Sequence, residues 1–416
     1  MNFRLKNLAL LMAFIFLYSC QKDEDTIIPV SDVNMSIELP KTLEDKEVTF
    51  KSGQLTLENV NTKKKTTQEL TSTIVPKLSL EDGLYNVLLE GEVGYTASDA
   101  SKKKVDKTSQ VRGRIENVEV KGGKITVELP LFIYSKTAGF VISEIFFAGT
   151  RTADGNQYDS DTFFELYNNS DKTLYADGLC LAQTSLTTDD ALNQFSPDTR
   201  LTETLISDLY RIPGDGTKYP VKPGQTILIS NVAINHKTQN SNSFNLSKSN
   251  FEWYDAGTVD VDVPEVPNLE KLISANANYM WSLHNRGHKS YVLCRLDKSV
   301  TPDSFAKSNP FKYSHMFVMG DFKMQMDEDT WKIANTTIID AVELSTPSGY
   351  QWKTLAPDLD LSWTHCGDGD GMRYGSSVRR KVDHKEGDRV VLLDTNDSAF
   401  DFHATAIPSP GVVEQE

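Results

Sequence analysis

Apolar and polar positions alternate with a period of two through the first third of the chain. Ile37 and Leu39 show it, as do Leu55 and Leu57, Tyr85, Val87 and Leu89, and Ile125, Val127 and Leu129. A half-buried strand requires this period, because successive side chains leave opposite faces of the pleat. Turn formers separate the runs at Lys51-Ser52-Gly53, Glu81-Asp82-Gly83 and Lys121-Gly122-Gly123. Short strands at this spacing predict a stalk-like β-sandwich over 33–137. The lysine runs Lys63 to Lys65 and Lys102 to Lys104 are read as solvated hairpin tips.

From 138 to 412 the apolar runs lengthen and a second, larger domain is expected. Gly139–Phe147, Thr162–Tyr167 and Leu174–Leu181 read as three strands. Turns fall at Asn168 to Asp171 and at Asp177-Gly178, where Asn, Ser and Asp side chains bond their own backbone. Thr202–Tyr210 and Asn268–Ile273 read as short helices with N-caps. The fold class expected for the whole chain is all-β, with two successive sandwiches and long, partly helical insertions in the second.

The N-terminus follows another pattern. Arg4 and Lys6 precede an apolar run, Leu8 to Leu17. That run is short of the roughly 20 residues a membrane-spanning helix needs, and fits a secretory signal peptide over 1–20. Leu17-Tyr18-Ser19-Cys20 resembles a bacterial lipobox, which implies that Cys20 is lipidated and becomes the new N-terminus. Lys22, Asp23, Glu24 and Asp25 follow at once. This tract resembles the lipoprotein export signal of Bacteroidota, which implies display on the outer membrane facing the exterior. The alternative is a solvated spacer. Residues 21–32 are read as this tract plus a tether. Asp25-Thr26-Ile27 and Asp397-Ser398-Ala399 also fit a loose O-glycosylation pattern of that phylum.

Two internal stretches carry further resemblances. Leu80-Glu81-Asp82-Gly83-Leu84-Tyr85-Asn86-Val87 resembles a strand of transthyretin-like modules, in which the tyrosine packs in the core. "VISEIFF" and "FFELYNNSDKTLYADGLCL" are similar to the start of lamin-tail domains. Tyr219–Ile229, Ile338–Val342, and Ser377–Lys381 through Ser409-Pro410-Gly411 are similar to their later strands, in matching order. The resemblance implies an immunoglobulin-like sandwich in which Glu165 and Asn168 build the fold. The chain also resembles uncharacterised Bacteroidota surface lipoproteins with this layout. Its second domain is far longer than a plain lamin-tail module, with extra residues at 183–218, 231–290, 298–336 and 346–375.

Charge and cysteine count narrow the chemistry. The formal net charge is −15, and loss of the signal moves it further negative. Such a chain repels phosphate backbones, so no nucleic acid partner is expected. After Cys20 only Cys180, Cys294 and Cys366 remain. An odd number without C-x-x-C spacing gives neither a disulfide framework nor a zinc ribbon.

No catalytic constellation is visible: there is no G-x-S-x-G elbow, and no cofactor is expected. His284 and His288 lie four apart but flank Asn285 and Gly287, which are poor helix residues. Asp154–Asp161 and Asp368–Gly371 offer oxygen ligands without EF-hand spacing. His315, Met316, Met319, Met324 and Met326 suit copper(I), or a strand-turn-strand whose methionines fill the core. The longest insertion holds Trp253, Tyr254, Trp281, His284, Arg286 and His288, which together form the candidate ligand site; the two tryptophans could instead plug the sandwich. The expected function is a non-enzymatic surface lipoprotein that captures a nutrient or metal complex for an outer-membrane transporter, touching the membrane through its lipid anchor only. The alternatives are a structural or adhesive module and, less in keeping with the residues, a hydrolase.

Overall fold

The computed structural model describes residues 29–99, 101–133, 139–190, 195–276 and 278–413. Cys20 and Lys22 to Asp25 lie outside the described residues. The described chain is almost entirely strand. Its longest described helix is Pro302–Ser308, opened by a capping box between Thr301 and Ser304.

Contacts divide the chain into two units. The smaller comprises residues up to 38, 50–91 and 113–131. In it Val30–Glu38 pairs parallel with Lys124–Pro130 and antiparallel with Leu78–Glu81. Thr49–Asn59 pairs with Lys65–Leu70. The alternation seen in sequence becomes burial: Leu55, Leu57, Tyr85, Val87, Leu89, Val127 and Leu129 all point inward.

The larger unit comprises 39–49, 92–112 and 132 onwards. It is a sandwich of a six-stranded and a seven-stranded sheet. The six-stranded sheet runs Phe251–Glu252, Thr226–Ser230, Phe163–Asn168, Phe140–Phe146, Ser377–Arg380, Phe402–Ala406. The other runs Pro310–Met319, Phe322–Ala334, Glu203–Arg211, Leu179–Thr184, Tyr291–Arg295, Ile338–Val342, with Glu270–Ser274 also paired to Glu203–Arg211. One core fills the space between. Ile142, Phe164, Ile229 and Val378 meet Leu181, Tyr210, Leu293 and Val342 there.

Two helix expectations are corrected. Thr202–Tyr210 is instead mostly the strand Glu203–Arg211, and Asn268–Ile273 mostly the strand Glu270–Ser274. Glu203–Arg211 has strands on both edges and is buried at every position after the first. A strand covered on both faces loses its alternation, so its apolar residues take a spacing that a helix could also have.

The methionine-rich segment is a strand-turn-strand, as its spacing allows, but the methionines do not fill the core. Pro310–Met319 pairs with Phe322–Ala334 from Pro310↔Trp331 out to Met319↔Phe322. Only Trp331 to Ala334 continue into the sheet, against Glu203 to Ile206. Near the Gly320-Asp321 turn, Met319 is 66% exposed and Phe322 52%. Ser398, in the second glycosylation-like pattern, is buried and donates to Asp360, which removes its hydroxyl from the surface.

Candidate functional site

The residues expected to share a ligand site are distributed between core and surface. Trp253 and Trp281 are both buried. Trp253 Nε1 donates to the Trp281 carbonyl at 3.1 Å. Tyr210 stacks on Trp281 with centroids 4.6 Å apart, and Phe164 lies 5.9 Å from each indole. Below them the buried Asp255 accepts from the Tyr210 hydroxyl and from Trp281 N, and ion-pairs Lys271 Nζ at 2.7 Å. These indoles are core. Tyr254 is half-buried and Arg286 is exposed.

His284 and His288 do meet, with ring centroids 5.4 Å apart. His284 Nδ1 accepts from the His288 backbone N–H at 3.1 Å. Burial, with His288 next to it, pushes His284 down to about 4. His288 Nδ1 lies 2.7 Å from Asp189, and its Nε2 lies 3.1 Å from Thr346 Oγ1. Partial burial opposes ionisation of Asp189, but the hydrogen bonds from His288 and Thr187 and the charge of His288 together outweigh it and bring the carboxyl to about 2. Acid, imidazole and hydroxyl thus stand in the order that hydrolases use. The hydroxyl is nevertheless sealed. Thr346 is buried and accepts from Gly349 N–H, and a Cβ on Gly349 would lie 2.5 Å from Thr346 Oγ1. The trio ties the segments around 189, 288 and 346 together.

Of the oxygen-rich loops, the first turns inward through Asp161 and the second stays at the surface. Asp161 is buried and accepts from Thr150 Oγ1 at 2.6 Å, and burial pushes it up to about 6. Asp368 accepts from the Ser348 backbone. No group of three or more His, Cys, Asp or Glu among the described residues is placed to hold a metal ion.

A cleft of about 1020 Å³ opens elsewhere, along the outer side of Thr226–Ser230. Its floor is apolar, from Val221, Ile227, Phe251 and Val390. Tyr219 forms one wall and packs edge-on to Phe251, centroids 4.9 Å apart. Lys218 lies over the Tyr219 ring at 5.0 Å. Arg389 stands opposite, held by Glu386 at 2.5 Å and by the Asn169 carbonyl at 2.9 Å. Gly224 lines the cleft at φ +76°, and a Cβ there would lie 3.3 Å from both the Tyr167 hydroxyl and Arg389 Cγ.

The cleft also exposes a strand edge. Leu228 turns its N–H and C=O outward, where Asn250 caps both at 2.8 Å. Antiparallel ladders alternate, so Thr226, two residues earlier, also turns its backbone groups outward, into the cleft. The short neighbour Phe251–Glu252 covers only Ile229 and Ser230. Sequence reading placed Tyr219–Ile229 as a strand of the fold but could not find this site, because its other wall arrives some 160 residues later.

Residues 222–409 match the model of a family described as "Protein of unknown function (DUF4876)". The match begins beside the cleft and closes on Ser409. Among solved structures, a DUF4876 family protein from Bacteroides thetaiotaomicron is similar over 91% of this chain and 96% of that one, at 21% identity and a TM-score of 0.60. That likeness extends the shared fold beyond the DUF4876-matching region. A proposed cell adhesion protein from Bacteroides eggerthii is aligned over 74% of this chain and 82% of that one, at 10% identity and a TM-score of 0.20, which carries no common fold. No curated protein matches the chain.

Proposed function

We propose that this chain is a non-enzymatic, lipid-anchored surface protein that acts by binding, as a structural or adhesive module, and that the cleft between Tyr219 and Arg389 is where it binds. The observation that carries the reading is the cleft itself. It joins an apolar floor, an aromatic wall, two cations and an outward strand edge in one place. Binding sites combine these features: an apolar base supplies affinity, and a few placed polar groups supply orientation. Lys218 and Arg389 also favour acidic groups that the chain as a whole, at −15, would repel.

The surface address rests on Cys20 and on Lys22 to Asp25, and is part of the proposal. A role in nutrient or metal-complex capture for an outer-membrane transporter is the narrower form of the same reading, and would use the same cleft. The sealed hydroxyl of Thr346 supports the non-enzymatic side.

The test is a peptide and glycan array probed with residues 29–413 and with Pro220→Arg. Pro220 is exposed on the cleft wall, so the new guanidinium fills the cleft without touching the core. Array ligands bound by the native chain should be lost in the variant. Ligands bound equally by both contradict the reading.

A further inference from the structure

The larger unit carries a second feature that has no partner among the described residues. The Pro310–Met319 and Phe322–Ala334 ribbon runs beyond the sheet, and its outer part pairs only with itself among the described residues, apart from a bridge between Ser314 and Ser196. A lone two-stranded ribbon is marginal in water and normally keeps polar tips. This one ends in Phe317, Val318, Met319, Phe322 and Met324, all between 41% and 66% exposed. Register places Phe317, Met319, Phe322 and Met324 on one face and Val318 on the other. A flat partner would cover only one face. A cleft covers both.

We infer that the tip of this ribbon docks in the Tyr219–Arg389 cleft of a second copy of the chain. The inference rests on the reading of the cleft as the binding site, and names its occupant. Three observations converge. First, apolar surface meets apolar surface: the exposed tip side chains face a floor of Val221, Ile227, Phe251 and Val390.

Second, the charges complement each other. The ribbon carries Asp321 at its apex and Asp327, Glu328 and Asp329 behind, with Lys312 paired to Asp329, Lys332 paired to Glu203 at the base, and Lys323 near the apex. The cleft offers Lys218, with Arg389 shared with Glu386 and Asp388 as its one lining acid, and Lys222 lies next to it in the chain.

Third, among the described residues both sides present open strand edges. Ser314 turns its N–H and C=O outward to Ser196, so Met316 and Val318, in the same phase, turn theirs outward too. Among the described residues no strand pairs with Met316 or Val318 on that side. Thr226 offers the matching groups inside the cleft. Strand addition of this kind gives affinity through main-chain hydrogen bonds, with side chains filling pockets. Tip and cleft are different patches, so the contact is head-to-tail and generates chains or rings.

Sedimentation velocity on residues 29–413 over a concentration series tests the inference. The native chain should associate with rising concentration. Met319→Asp (tip) and Pro220→Arg (cleft) should each weaken association at least about tenfold. Both positions are exposed, and unchanged circular dichroism spectra confirm that the variants fold. Mixed one to one, the two variants should form a dimer and stop there, because Met319→Asp keeps its cleft and Pro220→Arg keeps its tip. A native chain that stays monomeric, a variant that still assembles, or a mixture that does not pair overturns the inference. A monomeric native chain whose array ligands are still lost in Pro220→Arg refutes the occupant but not the cleft.

Discussion

Glu144 and Glu165 stand directly opposite each other on neighbouring strands, and both are buried. The end of the chain clasps them. Ser409 donates to Glu144 through its backbone and hydroxyl, Ser377 Oγ donates to Glu144 at 2.5 Å, and Gly411 N–H donates to Glu165 at 2.5 Å. The Ser-Pro-Gly ending thus closes on carboxylates that begin the domain.

This pair sets a pH dependence. Burial, then the neighbouring Glu144, pushes Glu165 up to about 8 from an ordinary 4.5. The folded state therefore holds this proton more tightly than the unfolded one. The stability it contributes is full below about 4.5 and is lost as pH rises through about 8. Glu165→Gln should lose less stability than the native chain between about pH 6 and about pH 9 in urea unfolding. Asp401, pushed by burial to about 7, acts in the same direction, so the comparison is with the variant. A Glu165→Gln variant that loses as much stability as the native chain over this range contradicts the assignment.

The indoles of Trp253 and Trp281 should behave as core. Trp253→Ala removes a fully buried side chain and should cost ~3–5 kcal/mol in unfolding free energy. A loss under about 1 kcal/mol would mean that the ring carries little of the packing.

The His288 tie should be worth a buried hydrogen bond. Thr346→Val keeps the shape but leaves Nε2 without its partner, at a cost of ~1–3 kcal/mol. Equal stability of the variant in urea would show that the bond contributes nothing.

The thiols should be inert. Cys180 lies opposite Cys294 on the neighbouring strand, both are buried, and neither forms a disulfide. Burial pushes Cys366 up to about 12. Native protein should resist iodoacetamide at all three, and reductant should leave the unfolding midpoint in place. Fast labelling of the folded chain would contradict this burial.

Legibility in the sequence followed burial geometry. Strands with one wet face, such as Lys124–Pro130, alternate, and their residues declared them, whereas Lys51-Ser52-Gly53, read as a turn, lies within the strand Thr49–Asn59. Glu203–Arg211 is buried on both faces and gave a pattern that a helix shares. Glu165 and Asn168 were legible as fold-making. Asn168 holds the Lys172 and Val221 carbonyls through its side-chain amide. The tryptophans carried a real signal, aromatic residues among polar ones, but the two indoles turned inward on Asp255. The cleft was not legible, because Tyr219, Phe251, Arg389 and Val412 converge only after the sheet forms.

The most direct test of the central claim, that the chain works through its cleft, is the reactivity of Lys218 in place. Lys218 is exposed in the isolated chain, as are Lys237 and Lys248 outside the cleft. An amine-reactive label applied to intact displaying cells, and to dilute purified protein, reads all three by mass spectrometry. The account predicts that Lys218 is labelled several-fold more slowly on cells while Lys237 and Lys248 are unchanged. Equal labelling of Lys218 in both states would contradict it.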